Sequence, residues 1–373
     1  MNTCNLRQSK SFDHLEELET IVMNRLAGHV SQIQMTESAD GLTLRGSCKS
    51  FYAKQMVQEL LMQIGNFRVT ANQIAVVSTD YPATDTDGVC PIGTVFYPSG
   101  FAESGEVAFM HALKITMANQ GLLWMLNVER SSQENPGDHQ FPGIRQTLER
   151  WGSIPINSPK SEVAKLGFDV QKVAATSQDP VGKSIEFLSL YSVDLVVLTL
   201  RQHDTIVSWF EKKLGQPISR ITGQPTLFIP EDEDGFVSKS DGSVRITNIL
   251  IPITGKPCPR ESLEFAKRLI HSLQQPSGTV TLLHVGNMDT LPQIEPPEVS
   301  GWTWVVQTLP GNPADTILQQ AEHLDVDLIV MTTDGPDRFI DKFLGTTSER
   351  VLRKSKCPIV VLPIDRVDTE SPS

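Results

Sequence analysis

Two glycines and a cluster of hydroxyl residues near the carboxyl terminus are the groups best suited to chemistry in this chain. Gly335 is separated by nine residues, 336 to 344, from Gly345-Thr346-Thr347, and Thr346-x-x-Glu349 has the spacing of a capping box. A helix beginning at Thr346 turns its free amide groups back into the loop, and such an end attracts anions, phosphate among them. The chemistry this implies is binding through backbone amides. An apolar run (Leu328 to Met331) precedes the loop and another (Ile359 to Leu362) follows the helix, so strand, loop, helix and strand must position the site.

The other reactive side chains form no catalytic constellation. Eight histidines are scattered, and His284 lies inside an apolar strand, where packing accounts for it. Five cysteines (Cys4, Cys48, Cys90, Cys258, Cys357) are odd in number, contain no CxxC pair and read as reduced thiols without a metal site. Ser177-Gln-Asp-Pro-Val-Gly182-Lys183-Ser184 misses a Walker A loop by its first residue. Pro180 suits a first helical turn, as does Pro313 in the matching Gly311-Asn-Pro313, so both read as helix openings. Trp302 and Trp304 alternate along a strand and are expected to pack on one side of it. No nucleophile, base and orienting acid can be assembled, and the protein is expected not to be an enzyme.

The candidate site belongs to the second of two repeated units. A shift of 133 residues places Pro180 on Pro313, Asp194-Leu195 on Asp327-Leu328, Val197 on Val330, Thr199 on Thr332, Arg220 on Arg353, Pro225 on Pro358 and Pro230 on Pro363, without a gap. Upstream, a shift of 154 pairs Tyr97-Pro98 with Ile251-Pro252 and Ala112 with Ala266. The units span 93–230 and 244–364. An acidic linker, 231–243, joins them; a turn-rich linker, 78–92, precedes them; 1–11 and 365–373 are tails. Strands alternating with helices imply a parallel sheet with helices on both faces, and ligands bind such sheets beyond the carboxyl ends of the strands. That geometry gathers Thr254, Val285, Thr332 and the Gly335 loop. After the second strand of the second unit comes the proline-rich stretch Gly286 to Gly301.

With these residues in view, the repeated units resemble the universal stress protein family. Its phosphate loop reads Gly, two residues, Gly, nine residues, then Gly-Ser or Gly-Thr. Gly335 and Gly345-Thr346 fit, and Thr332 stands where the first glycine would be. Cys357-Pro358 leading into Ile359-Val360-Val361 also looks like the family's last strand. The resemblance implies an α/β fold with two Rossmann-like domains, each with a five-stranded parallel sheet. It also implies ATP or another adenine nucleotide held by amides around Gly335, Gly345, Thr346 and Thr347. Val285 falls at the family's adenine-contacting valine. Thr254 falls where nucleotide binders carry an aspartate, so that contact is changed, and Asp334 adds a carboxylate beside the loop. In the first unit Gln202, Lys212 and Lys213 replace the loop glycines and threonine, which implies a non-binding partner.

Residues 12–77 read as helix, two strands, helix, strand. Leu15, Leu18, Val22 and Leu26 share one helical face, and Ala53, Val57, Leu60, Leu61 and Ile64 another. Asp40-Gly41-Leu-Thr-Leu-Arg-Gly46 and Tyr52-Ala53-Lys54 resemble the BON domain, a small α+β module. Seven basic and seven acidic residues in 1–77 leave no polybasic cluster for an anionic membrane, so a protein contact is expected of it.

A length of 373 residues predicts two or three domains, and a formal charge of −12 disfavours a duplex nucleic-acid binder. No apolar leader or membrane span is evident, so a cytoplasmic protein is expected. The resemblance implies stress-linked regulation through nucleotide binding. The alternatives are an interaction scaffold that binds no nucleotide and slow ATP hydrolysis with no nameable catalytic group. Each unit ends in a short apolar strand between prolines, Thr226 to Ile229 and Ile359 to Leu362. The resemblance implies pairing through such final strands, so these are expected to pair antiparallel as an intramolecular pseudo-dimer, burying Leu227, Ile229, Val360 and Leu362 in part.

Overall fold

The structure is a computed structural model that describes residues 15, 18–23, 30–38, 41–48, 57–58, 60–62, 64, 67–76, 91–99, 105–129, 141–191, 193–200, 224–334 and 346–364. The chain divides into two compact units, Met1–Gly88 and Val89–Ser373. In the first unit the strands β1 (Val30–Ser38), β2 (Gly41–Cys48) and β3 (Val69–Val76) form one sheet in that order. β1 and β2 are antiparallel, whereas β2 and β3 run parallel. Alternation along β2 turns Leu42 and Leu44 inward, where they meet Leu18, Val22, Val57, Leu60, Leu61 and Ile74. The expected α+β order is therefore present, with helical residues at 18–23 and around 57–64 covering one face.

The second unit opens with β4 (Thr94–Ser99), α1 (Glu106–Ala118) and β5 (Leu122–Glu129). It continues through α2 (Ile144–Arg150), α3 (Lys160–Ala164), β6 (Asp169–Thr176), α4 (Pro180–Leu190), β7 (Leu195–Leu200) and β8 (Thr226–Pro230). After 231–247 come β9 (Asn248–Ile253), α5 (Arg260–Ser272), β10 (Gly278–Val285) and β11 (Trp302–Leu309). The unit closes with α6 (Pro313–His323), β12 (Leu328–Asp334), α7 (Thr346–Lys354) and β13 (Ile359–Ile364).

All ten strands join one sheet in the order β11-β10-β9-β12-β13-β8-β7-β4-β5-β6, so the two halves mirror one another across β13 and β8. Strands within each half are parallel. The β13–β8 pairing is antiparallel, with Ile359 opposite Phe228, Val360 opposite Leu227 and Val361 opposite Thr226. The result is a Rossmann-like α/β architecture built on a mixed sheet.

Both faces are packed. Leu227, Ile229, Val360 and Leu362 point to the face shared by α1 and α5, in a core that runs across both halves. On the other face of the second half, α6 and α7 set Ala314, Ile317, Val351 and Leu352 on Leu250, Ile329, Ile359 and Val361. In the first half α4 packs through Phe187, stacked on Phe96 at 5.1 Å and edge-on to Trp124 at 5.2 Å. Between β10 and β11 there is one short 3-10 turn, Met288–Thr290, where the first half has α2 and α3. Trp302 and Trp304 do share a side of β11, both against the α5-side core.

The 231–243 stretch joins the halves as its acidity suggests, yet it is not a free linker. Phe236 and Val237 are buried, and their N–H groups both donate to His111 Nε2 in α1, at 3.0 and 3.2 Å. The end of the expected 78–92 linker packs as well: Ile92 is buried and donates its N–H to Asn119 Oδ1 at 3.0 Å. No helix among the described residues is long and apolar enough to cross a membrane.

Candidate functional site

β9 and β12 lie side by side because the chain, having built β9, β10 and β11 outward, returns to place β12 on the other flank of β9. Their pairing covers only Leu328 with Ile249 and Ile329 with Leu250. By contrast β9 follows β10 to Ile253 and His284, and β12 follows β13 to Asp334 and Ile364. The pairing of the two central strands therefore stops short of their last residues, which makes the carboxyl edge between them the candidate crevice, since sheets of this kind hold ligands there.

Thr254 follows β9 at this edge. It is exposed, and its hydroxyl is 3.4 Å from the Lys256 carbonyl. Val285 ends β10 and packs against the core beneath α6 and α7. Thr332 is half-buried in β12; alternation with Val330 assigns it to the α5 side of the sheet, whereas Val285 faces the α6 and α7 side. The structure thus brings Val285 and α7 to one face and sets Thr332 on the other. Thr347 is half-buried in the first turn of α7. Gly335, Gly345 and the side chains of Thr346 and Glu349 lie outside the described residues, as do Gln202, Lys212 and Lys213.

The helix that would present its amides is firmly seated. α7 buries Ser348, Val351 and Leu352, and Arg350 reaches across to α6. The Arg350 guanidinium donates to both Asp315 oxygens at 2.8 and 3.0 Å and to Asn312 Oδ1 at 3.0 Å. Asn312 is itself the N-cap of α6, followed by Pro313, so the Gly311-Asn-Pro313 stretch opens a helix. Pro180 begins α4 in the same way, and Lys183 is 2.8 Å from Glu186 on the surface, which leaves the Walker-like stretch as a helix start. Arg353 and Lys354 occupy the last turn of α7, where they suit the helix dipole.

His284 braces the crevice. It is buried, with Nδ1 3.2 Å from the Ile253 carbonyl and Nε2 2.8 Å from Thr290 Oγ1. Those contacts tie the ends of β9 and β10 to the 3-10 turn. Burial pushes the Cys357 thiol up to about 11, so it is unreactive at neutral pH, while Cys258 is exposed before α5.

Two contributions escape a reading of motifs. Asp327 Oδ2 accepts from Thr247 N at 2.6 Å, Thr247 Oγ1 at 3.0 Å and Asn248 N at 2.9 Å, fastening the start of β9 to that of β12. Asp194, its partner under the 133-residue shift, accepts from Thr94 N at 2.9 Å and forms an ion pair with Arg268 of α5 at 3.3 Å. The repeat exposed both aspartates, but the acceptor role needs the fold. His111 is the second: it is fully buried, its Nδ1–H donates to the Val107 carbonyl at 2.7 Å, and burial lowers its pKa to about 4. A histidine inside the otherwise apolar run Val107 to Leu113 was the available signal.

Comparison with known proteins finds a family likeness in the last part of the second half. Residues 299–363, from just before β11 to the end of β13, match the model of the universal stress protein family. A universal stress protein of Methanocaldococcus jannaschii is 39% identical over 56 residues, 15% of this chain and 33% of that protein. One from Thermus aquaticus is 41% identical over 54 residues, 14% of this chain and 39% of that protein. The chain thus spans little more than a third of the length of the curated relatives it matches. The crystal structure of a universal stress protein from Archaeoglobus fulgidus aligns over 74% of this chain and 98% of its own, at 17% identity and a TM-score of 0.48. The carboxyl-terminal segment 299–363, which contains β12 and α7 but neither Thr254 nor Val285, is therefore similar to universal stress proteins.

Proposed function

We propose that the protein is a cytoplasmic stress-response regulator of tandem universal stress protein type, which binds ATP or another adenine nucleotide at the carboxyl edge of its second half-sheet. The observation that carries this reading is the end of the β9–β12 pairing beyond Leu250 and Ile329, at the edge from which the chain leaves β12 for α7. Phosphates take the amides around Gly335, Gly345, Thr346 and Thr347, and the base lies near Val285 and Thr254. In this reading binding regulates rather than turns over its ligand. The first half serves as the non-binding partner of an intramolecular pseudo-dimer, and the BON-like module 12–77 makes a protein contact.

Calorimetric titration with ATP, ADP and AMP tests the reading. Gly345→Val abolishes the heat of binding while the circular dichroism spectrum is retained, and replacing Lys212 and Lys213 changes little. Unchanged affinity in Gly345→Val moves the site elsewhere.

A second reading, an interaction scaffold without nucleotide, draws on Thr254: the end of the first strand offers a hydroxyl, engaged with its own turn, in place of a carboxylate. Absence of heat with all three nucleotides favours that reading.

A further inference from the structure

β11 ends the ten-stranded sheet, and its eight residues, Trp302–Leu309, carry no charge, no proline and no glycine. The opposite end, β6, carries Asp169 and Lys172. Unprotected strand edges are normally blunted by such charges or covered. β11 also lacks the cover of a helix before it, since 286–301 contains only the Met288–Thr290 turn. Val305 and Val306 are accordingly 42% and 46% exposed on opposite faces of one strand.

The backbone has a defined direction here. Gly278 N donates to Gly301 O, and Gly286 N donates to Leu309 O, so the odd-numbered residues of β11 turn their polar groups toward β10. Those of Trp304, Val306 and Thr308 therefore turn outward. We infer that this edge pairs antiparallel with the same strand of a second copy of the chain, about a two-fold axis at Val306. That register sets Val306 against Val306 and Trp304 against Thr308, with outward donors facing outward acceptors.

A second copy fits better than another strand because an uncharged sequence can oppose itself without like-charge repulsion, and one contact then covers the valines of both molecules. Pairing with β6 instead would leave an open end on every copy and give chains of molecules rather than a closed pair. The sheet already joins its two halves by an antiparallel pair, β13 with β8, so the same mode would continue it. A contact confined to one strand pair lies below about 1,200 Å² of buried surface, at the small end of specific interfaces, so the dimer is concentration-dependent.

Sedimentation velocity of the full chain across a hundred-fold concentration range, paired with hydrogen exchange, tests this. The expected result is a monomer–dimer equilibrium, with amides of Trp304, Val306 and Thr308 exchanging at least ten-fold more slowly in the concentrated sample. Val306→Lys opposes two charges across the axis, and Val306→Pro removes only an outward donor; both should remain monomeric with unaltered circular dichroism. Val306→Glu, which likewise opposes two like charges across the axis, serves if either fails to fold. A wild type that stays monomeric overturns the inference. So do open-ended oligomers, a dimer that survives these substitutions, or amides equally protected at every concentration, which would mean that the chain's own residues cover β11.

Discussion

Protonating His111 would remove the acceptor that holds the N–H groups of Phe236 and Val237, and this gives the fold a pH dependence with a definite sign. The unfolded chain takes up a proton below its ordinary value of 6.5, whereas the buried imidazole resists until about 4. Stability is complete above that upper value, declines as pH falls through the window and levels off below it. The full loss is about 3 kcal/mol, from the separation of the two values. Urea denaturation at pH 7.5 and 4.5 should show a drop larger by about 2 to 3 kcal/mol in the wild type than in His111→Leu. That variant should start lower, because two buried amides lose their acceptor at about 1–3 kcal/mol each. Equal pH slopes would assign the effect to other groups. Gly235 belongs to the same contact: its φ is +68°, and a Cβ there would meet the His111 ring at 2.5 Å.

At the scale of elements, the seam between the halves rests on side chains set opposite one another. Val360 faces Leu227, and the two are 1% exposed each, so neither site can relax into solvent. Leu227→Ala should cost about 2–5 kcal/mol. Combined with Val360→Ala, the double variant should depart from additivity by about 0.5–3 kcal/mol, as contacting residues do. Additive losses would mean that each packs mainly within its own half. The family resemblance, together with two short apolar runs bounded by prolines, made this strand pairing legible, and the fold shows it with Val360 opposite Leu227. The packing of 231–243 was not legible. Glu231 to Asp234 are acidic, and only contact with a histidine 125 residues away reveals that Phe236 is a core residue. The positions of Thr254 and Val285 at strand ends could be read from periodicity and topology. Their facing could not, since Thr332 and Val285 take opposite sides of the sheet through alternation counted along two separate strands.

For the whole molecule, the chain forms two compact units, and the first has its own core of Leu18, Val22, Leu44, Val57, Leu61 and Ile74. Residues 1–77 are therefore expected to fold alone. Their balanced charge should leave them in the supernatant when sedimented with anionic vesicles at physiological salt. Co-sedimentation would instead mark a lipid surface as the partner. Removing them should leave nucleotide titration unchanged, because the proposed crevice is built from the second unit.

The antiparallel junction of two parallel half-sheets has one more outcome. The carboxyl ends of the strands in one half lie at the edge where the other half's strands begin, so the two carboxyl edges face in opposite directions, separated by the length of the strands. No single small molecule can bridge them. A change at one edge would reach the other across the interlocked rows of β8 and β13 and through the core shared by α1 and α5, where Arg268 of the second half pairs with Asp194 of the first.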